Sequence, residues 1–262
     1  FTALIGFAVI LWGKFLQCQQ SVGLGFDQQS FLFWDYAKSS GLIPFRDFFY
    51  PYGLLFFLKT DNLFWYFISL MIIFLVVWSV FVTFKKIFKD RLYAYIFFLI
   101  FCLFSNIFVD VDSLVRYGPL IFISVLISYF AEKRILINRY AGSILGLILG
   151  LLLFLITDLF FYGFLTIFVF IVIYLILIYK KIDRNFIVFS FSLLLGIIIG
   201  IIPLIIYLYS NDVYIPFINN FILLKDVSDF AKVPFPPSLR SFENQFVISL
   251  IILTIFILHA HI

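Results

Sequence analysis

The stretch FDQQSFLFWDYAKSSGLIPFRDFFYPYGLL, Phe26 to Leu55, gathers Asp27, Asp35, Asp47, Lys38 and Arg46 in a chain otherwise dominated by Phe, Ile and Leu. One carboxylate suffices as a general base, taking the proton of an acceptor hydroxyl during a single displacement. Asp27 is the candidate for that role, and the plainer reading is that it caps a helix. Asp35 follows on roughly the same helix face, as a substrate-binding candidate or a solvated interfacial acid. A second stretch, FVDVDSLVRYGP, adds Asp110, Asp112 and Arg116. Asp-x-Asp is a candidate oxygen-ligand pair for a divalent cation, although acids often do no more than face water. Arg116 offers a fork of N–H donors to a phosphate oxyanion; its plainer reading is a side chain snorkelling to an interface. Asp158 stands between two apolar runs, where an acid is either functional or simply hydrated by a short turn.

These groups must be positioned by a strongly apolar chain. Of 262 residues, 65% are hydrophobic and 12% charged, a balance suited to a bilayer rather than a soluble core. The net charge of +4 does not indicate nucleic acid, because of where the charge sits. Apolar runs of spanning length fall near residues 1–18, 61–84, 92–109, 116–131, 140–157, 159–179, 186–209 and 245–262. We therefore expect an all-α, multi-pass transmembrane bundle of about eight spans, a single module over residues 1–262. The chain opens on Phe and both ends are apolar, so a fragment incomplete at both ends is expected.

Three short connections, KKIFKDR at 85–91, EKRILINR at 132–139 and KKIDR at 180–184, hold ten of the eighteen Lys and Arg but three of the fourteen acids. The positive-inside rule assigns them to the cytoplasm. Residues 19–60, 110–115 and 210–244 are then outside, and the two long segments among them are the ones expected to carry function. In the first, Asp27 suits an N-cap and Gly41 a helix stop, giving a helix over QQSFLFWDYAKSS. Its Phe residues, Trp34 and Tyr36 would lay it flat in the interface. Pro44 then breaks the chain before PFRDFFYPYG.

An outward first helix, an Asp opening the loop, an aromatic helix, the run AKSSGLIPFRDFF and a YGLL entering the next helix together resemble the GT-C-fold integral membrane glycosyltransferases. The likeness is to the bacterial branch related to protein O-mannosyltransferases and aminoarabinose transferases. It implies that Asp27 is the catalytic Asp and Asp47 the later loop Asp, a substrate-binding candidate. Gly146 to Gly163 is similar to the family's glycine-bearing helix ending in a polar pair, and PFPP at 234–237 to its late outer loop. The chain departs from the pattern with Gln28 where many members have Glu, and with PYG where Pro-Pro is common. Related oligosaccharyltransferases use acids in a comparable loop for metal, whereas this branch is often metal-independent. A divalent cation at Asp110 and Asp112 is thus a candidate cofactor only.

A sugar transferred outside the membrane cannot come from a cytoplasmic nucleotide sugar; a polyprenyl-phosphate sugar is the available donor. Its phosphate leaves readily and needs cationic partners more than a general acid. The expectation is an inverting transfer to a lipid, glycan or protein acceptor at the extracytoplasmic face of a bacterial cell membrane. The competing class is a multi-pass transporter or flippase for lipid-linked substrates, which often shows broken helices and midplane charges. Here ionisable residues gather at the outer face, only Pro203 interrupts a span, and no inverted repeat is visible. Gly142, Gly146 and Gly150, and Gly196 with Gly200, recur at four-residue spacing and predict close helix packing. Cys18, Cys102, His259 and His261 have no spacing that suggests a site.

Overall fold

The structure, a computed structural model, describes residues 2–18, 33, 36–48, 53–58, 63–108, 111–176 and 183–220. Within them the chain is all-α apart from one isolated bridge between Pro44 and Phe48. In order come α1 (Thr2–Cys18), α2 (Leu54–Leu58), α3 (Leu63–Ile87), α4 (Arg91–Phe108) and α5 (Val111–Glu132). Then follow α6 (Arg139–Leu155), α7 (Thr157–Tyr174), α8 (Arg184–Ser210) and a short helix at 214–220. Hydroxyls inside these helices bond back to the preceding turn, as Ser79 does to the Leu75 carbonyl at 2.7 Å and Ser124 to that of Leu120 at 2.8 Å. A buried hydroxyl is thereby satisfied without water.

Two of the described helices, α3 and α8, are long and apolar enough to cross a membrane, where eight such spans were expected. The remaining expected spans are shorter apolar helices, and residues 245–262 lie outside the described residues. Two expected boundaries also move. Residues 111–115 of the expected outer loop are instead the beginning of α5, which starts at Val111. Counting apolarity discarded a first turn whose Asp and Ser are good residues for a helix start. The break expected at Asp158 falls at Ile156, extended at φ −148° and ψ 85°, and Asp158 sits in the first turn of α7. Pro203 interrupts nothing: α8 continues through it, and α5 continues through Pro119.

The basic connections are short because their own side chains cap the helices they begin. Asp90 Oδ1 accepts from the Leu92 N–H at 2.7 Å, and Asn138 Oδ1 from the Tyr140 N–H at 3.1 Å. Asp183 Oδ1 accepts from the N–H groups of Asn185 and Phe186 at 3.0 and 3.2 Å. Each such cap contributes about 1 kcal/mol. Helix ends close by a paired-bond motif in which the residue after the helix turns left-handed. At α5, Arg134 takes φ 57° while the Ile135 and Arg134 N–H groups reach the carbonyls of Phe130 and Ala131, both at 2.9 Å. Asp212 plays the same part after α8 at φ 53°.

The chain divides into two compact units, Phe1–Asp35 with Leu55–Leu126, and Tyr36–Leu54 with Ile127–Ile262. In the first, rings dominate the packing: Phe81 meets Phe98 at 5.1 Å between centroids, and Phe88 stacks on Phe97 at 4.7 Å. Gly6 admits α1 to this cluster, since a Cβ there would stand 2.5 Å from Phe98 and 2.9 Å from the Cys102 sulfur. In the second unit the seam is made by missing side chains. Gly142 faces Phe189, Gly146 faces Leu193 and Gly196, and Gly150 faces Ile197 and Gly200. A Cβ at Gly146 or Gly150 would meet α8 backbone, at 3.0 Å from Gly196 Cα and 2.7 Å from Gly200 Cα respectively. The four-residue glycine spacing predicted this close approach. Because the residue numbers rise together, α6 and α8 run parallel. The chain must therefore return between them, and α7 is the helix that carries it back.

Candidate functional site

Only part of the first long loop is described, and its stretch Tyr36–Leu54 belongs to the second unit. Its helix ends where Gly41 was expected to stop it. Gly41 takes φ 73°, its N–H reaches the Lys38 carbonyl, and the Leu42 N–H reaches that of Ala37, both at 2.9 Å. These two bonds close the turn, and glycine adopts the required φ without a Cβ penalty. Beyond it, Ile43 to Phe48 fold into a tight knot. The Asp47 N–H bonds the Ile43 carbonyl at 3.0 Å, and Asp47 Oδ2 accepts from the Ile43 N–H at 2.7 Å. Arg46 Nε and Nη2 donate to Asp47 Oδ1 and Oδ2, each at 2.9 Å.

Charge-assisted bonds of this kind favour the ionised carboxylate. The Arg46 contact, with a smaller contribution from the Ile43 N–H, holds the Asp47 carboxyl below its ordinary range. The same pair raises the Arg46 guanidinium above its own ordinary value. A carboxylate so stabilised is a poor collector of protons, and its geometric effect is to orient Arg46.

Phe45 is the strained member of the knot. It is buried, yet holds φ 72°, a region that a bulky L-residue rarely enters. Among its contacts, its N–H bonds the Phe48 carbonyl at 3.1 Å, its carbonyl accepts from Asn220 Nδ2 at 3.2 Å, and its ring meets Phe217 edge-on at 5.0 Å. Asn220 is itself buried and also donates to the Pro216 carbonyl at 2.8 Å. Gly53 supplies the other anchor. Its backbone lies so close to Leu155 and Ile156 that a Cβ would overlap their backbone atoms. Gly53 therefore docks on the C-terminal end of α6, and the knot around Phe45 on the short helix that follows α8.

Of the residues singled out from the sequence, Asp47 has its geometry on view and is engaged by Ile43 and Arg46. Asp27, Asp35 and Asp110 lie outside the described residues. Asp112 and Arg116 occupy the first turns of α5, and Asp158 that of α7. Among the described residues, no group of three or more His, Cys, Asp or Glu could hold a metal ion. Reading the sequence missed Asn220 and the strained Phe45, and noted Arg46 without giving it a role. The available signal for Asn220 was an amide amid YIPFINNFILL, where a buried polar group must find partners.

No family model matches the chain, and neither the curated proteins nor the solved structures yield a match.

Proposed function

We propose that the chain is a multi-pass membrane glycosyltransferase, moving a sugar from a polyprenyl-phosphate donor to an acceptor at the extracytoplasmic face. What carries this reading is the docking of the described part of the first loop, at Phe45 and Gly53, on the C-terminal side of the parallel pair α6 and α8. The N-terminal side of the same helices bears Arg139 and Arg184, in the basic turns that the positive-inside rule assigns to the cytoplasm. Helices of 17 and 27 residues separate the two sides by roughly 25–40 Å at 1.5 Å per residue, matching a bilayer.

Side-chain exposure supports membrane embedding. Along α8, Ile187, Phe191, Leu194, Ile198, Ile202 and Ile205 are all exposed, Phe191 by 69%. A continuous apolar face of that length is untenable in water and ordinary in lipid. On this reading α1 and α3 to α8 are seven of the spans. Their lengths of 17 to 27 residues lie around the spanning range. Residues 245–262 are the eighth.

In the mechanism, Asp27 takes the acceptor proton as the anomeric carbon inverts, and Arg116 offsets charge on the departing phosphate. Asparagine caps a helix about as well as aspartate but cannot accept that proton. Asp27→Asn should therefore lower sugar transfer by about 10²–10⁴-fold while the protein stays folded. Near-normal turnover by Asp27→Asn alongside an inactive Asp27→Ala would make Asp27 a cap and remove it from the chemistry. The interruption at Ile156 favours a second reading, a flippase for the same lipid carrier, since transporters build sites at broken helices. Carrier translocation in vesicles with no sugar transfer under any donor would select it.

A further inference from the structure

The knot at Ile43 to Phe48 holds a backbone conformation that its sequence disfavours, and its visible product is the placement of one guanidinium. Asp47 is pinned to the Ile43 N–H, and Arg46 is pinned to Asp47 along a single edge, through Nε and Nη2. Arginine has five N–H donors, and two are used among the described residues. No other described group takes the remaining donors, which include the pair on the opposite edge formed by Nη1 and Nη2. Half of the side chain is open to its surroundings, at 49% exposure. Such a fork matches two oxygens of a phosphate, and holding it in place beforehand reduces the entropy lost on binding.

Strain that the surroundings over-determine points to function. Here it is maintained by groups remote in sequence, Phe217 and Asn220, which lock Phe45 immediately before the arginine. Exposed Tyr209 and Tyr214, near the end of α8, suit the headgroup level of a bilayer.

We propose that Arg46 binds the phosphate of a lipid-linked phosphate at the outer membrane surface through the Nη1–Nη2 edge of its guanidinium. The identity of the lipid rests on the transferase reading above; the phosphate recognition rests on the knot. The full chain is reconstituted in phosphatidylcholine nanodiscs containing either polyprenyl phosphate or the neutral polyprenol, and retention of each is measured by native mass spectrometry. Arg46→Gln should weaken retention of polyprenyl phosphate by about 10- to 100-fold, as loss of a charge-assisted bond implies, and leave polyprenol retention unchanged. Arg46→Lys, with charge but no planar fork, should fall between. Inorganic phosphate added to the wild type should compete only in large molar excess over the lipid.

Equal retention of polyprenyl phosphate by wild type and Arg46→Gln overturns the assignment of Arg46 while leaving the carrier reading standing. Equal loss of both lipids in Arg46→Gln makes Arg46 a structural member of the loop and overturns it too. A wild type that does not prefer polyprenyl phosphate over polyprenol overturns both readings. Displacement by equimolar inorganic phosphate overturns the lipid as the source.

Discussion

The basic turns and the first long loop connect apolar helices by opposite means. At 88–90, 133–138 and 183 the connection is local: Asp90, Asn138 and Asp183 bond N–H groups two or three residues away. At Phe45 and Gly53 in the loop the decisive contacts are remote. Asn220 reaches the Phe45 carbonyl across 175 residues, and Gly53 rests on the interruption at Ile156. A local turn adopts conformations its residues already prefer. The loop instead retains a left-handed phenylalanine, a state costing about 1–3 kcal/mol. Reversing the chain does not require that expense, so the loop's shape answers to something besides topology.

An all-or-none experiment can break this contrast at its root. In a background with Cys18 and Cys102 replaced by serine, cysteines at Lys86, Lys133 and Lys181 should resist an impermeant thiol reagent in intact cells, and one at Ser228 should react. Labelling at Lys133 from outside would reverse the assignment of the two sides. Next in size is Arg116→Gln, which should raise the donor concentration needed for transfer by an amount equivalent to about 1.5–3 kcal/mol, the range for a hydrogen bond to a charged group. An unchanged donor dependence at equal membrane levels removes Arg116 from the site.

A paired comparison then sharpens the difference between remote and local construction. Asn220→Ala leaves the buried Phe45 carbonyl without its amide donor and should loosen the knot by about 1–3 kcal/mol. Hydrogen exchange should accelerate over Ile43 to Phe48, far away in sequence. Asp183→Ala should cost about 1 kcal/mol, with faster exchange confined to the start of α8. Identical, local exchange patterns in both variants would erase the distinction. The smallest effect is a pH dependence. Because the Asp47 carboxyl is lowered from its ordinary 3.8 on folding, its contribution to the loop is fully present above that value. It is lost as pH falls through the lower folded value, a decline visible as faster exchange at Ile43 in acid and absent from Asp47→Asn.

Features written in residue type and short-range spacing were legible in the sequence. The glycine seam followed from spacing, because a residue without Cβ repeated every fourth position defines one helix face. The stop at Gly41 followed from the residue type that its backbone demands. Arg134 and Asp212 close helices by the same geometry without glycine, so residue type gave no warning there. Phe45 was illegible for a stronger reason: beside its bond to Phe48, its conformation depends on Phe217 and Asn220, remote in sequence. Ile156 is an aliphatic residue at a helix break, and the polar pair Thr157–Asp158 drew the expected boundary toward itself. Apolarity marked where helices run, but not the polar first turn of α5.

The parallel seam also sets a schedule for synthesis. Gly146 finds its partner Gly196 only after fifty more residues have been made, including the whole of α7. At about 5–20 residues per second on the ribosome, that delay is roughly 2.5–10 seconds. For that interval α6 carries a bare backbone groove with no complementary helix yet in existence. The nascent chain is then most open to wrong partners, and a chaperone or insertase that shields such grooves would matter most during those seconds.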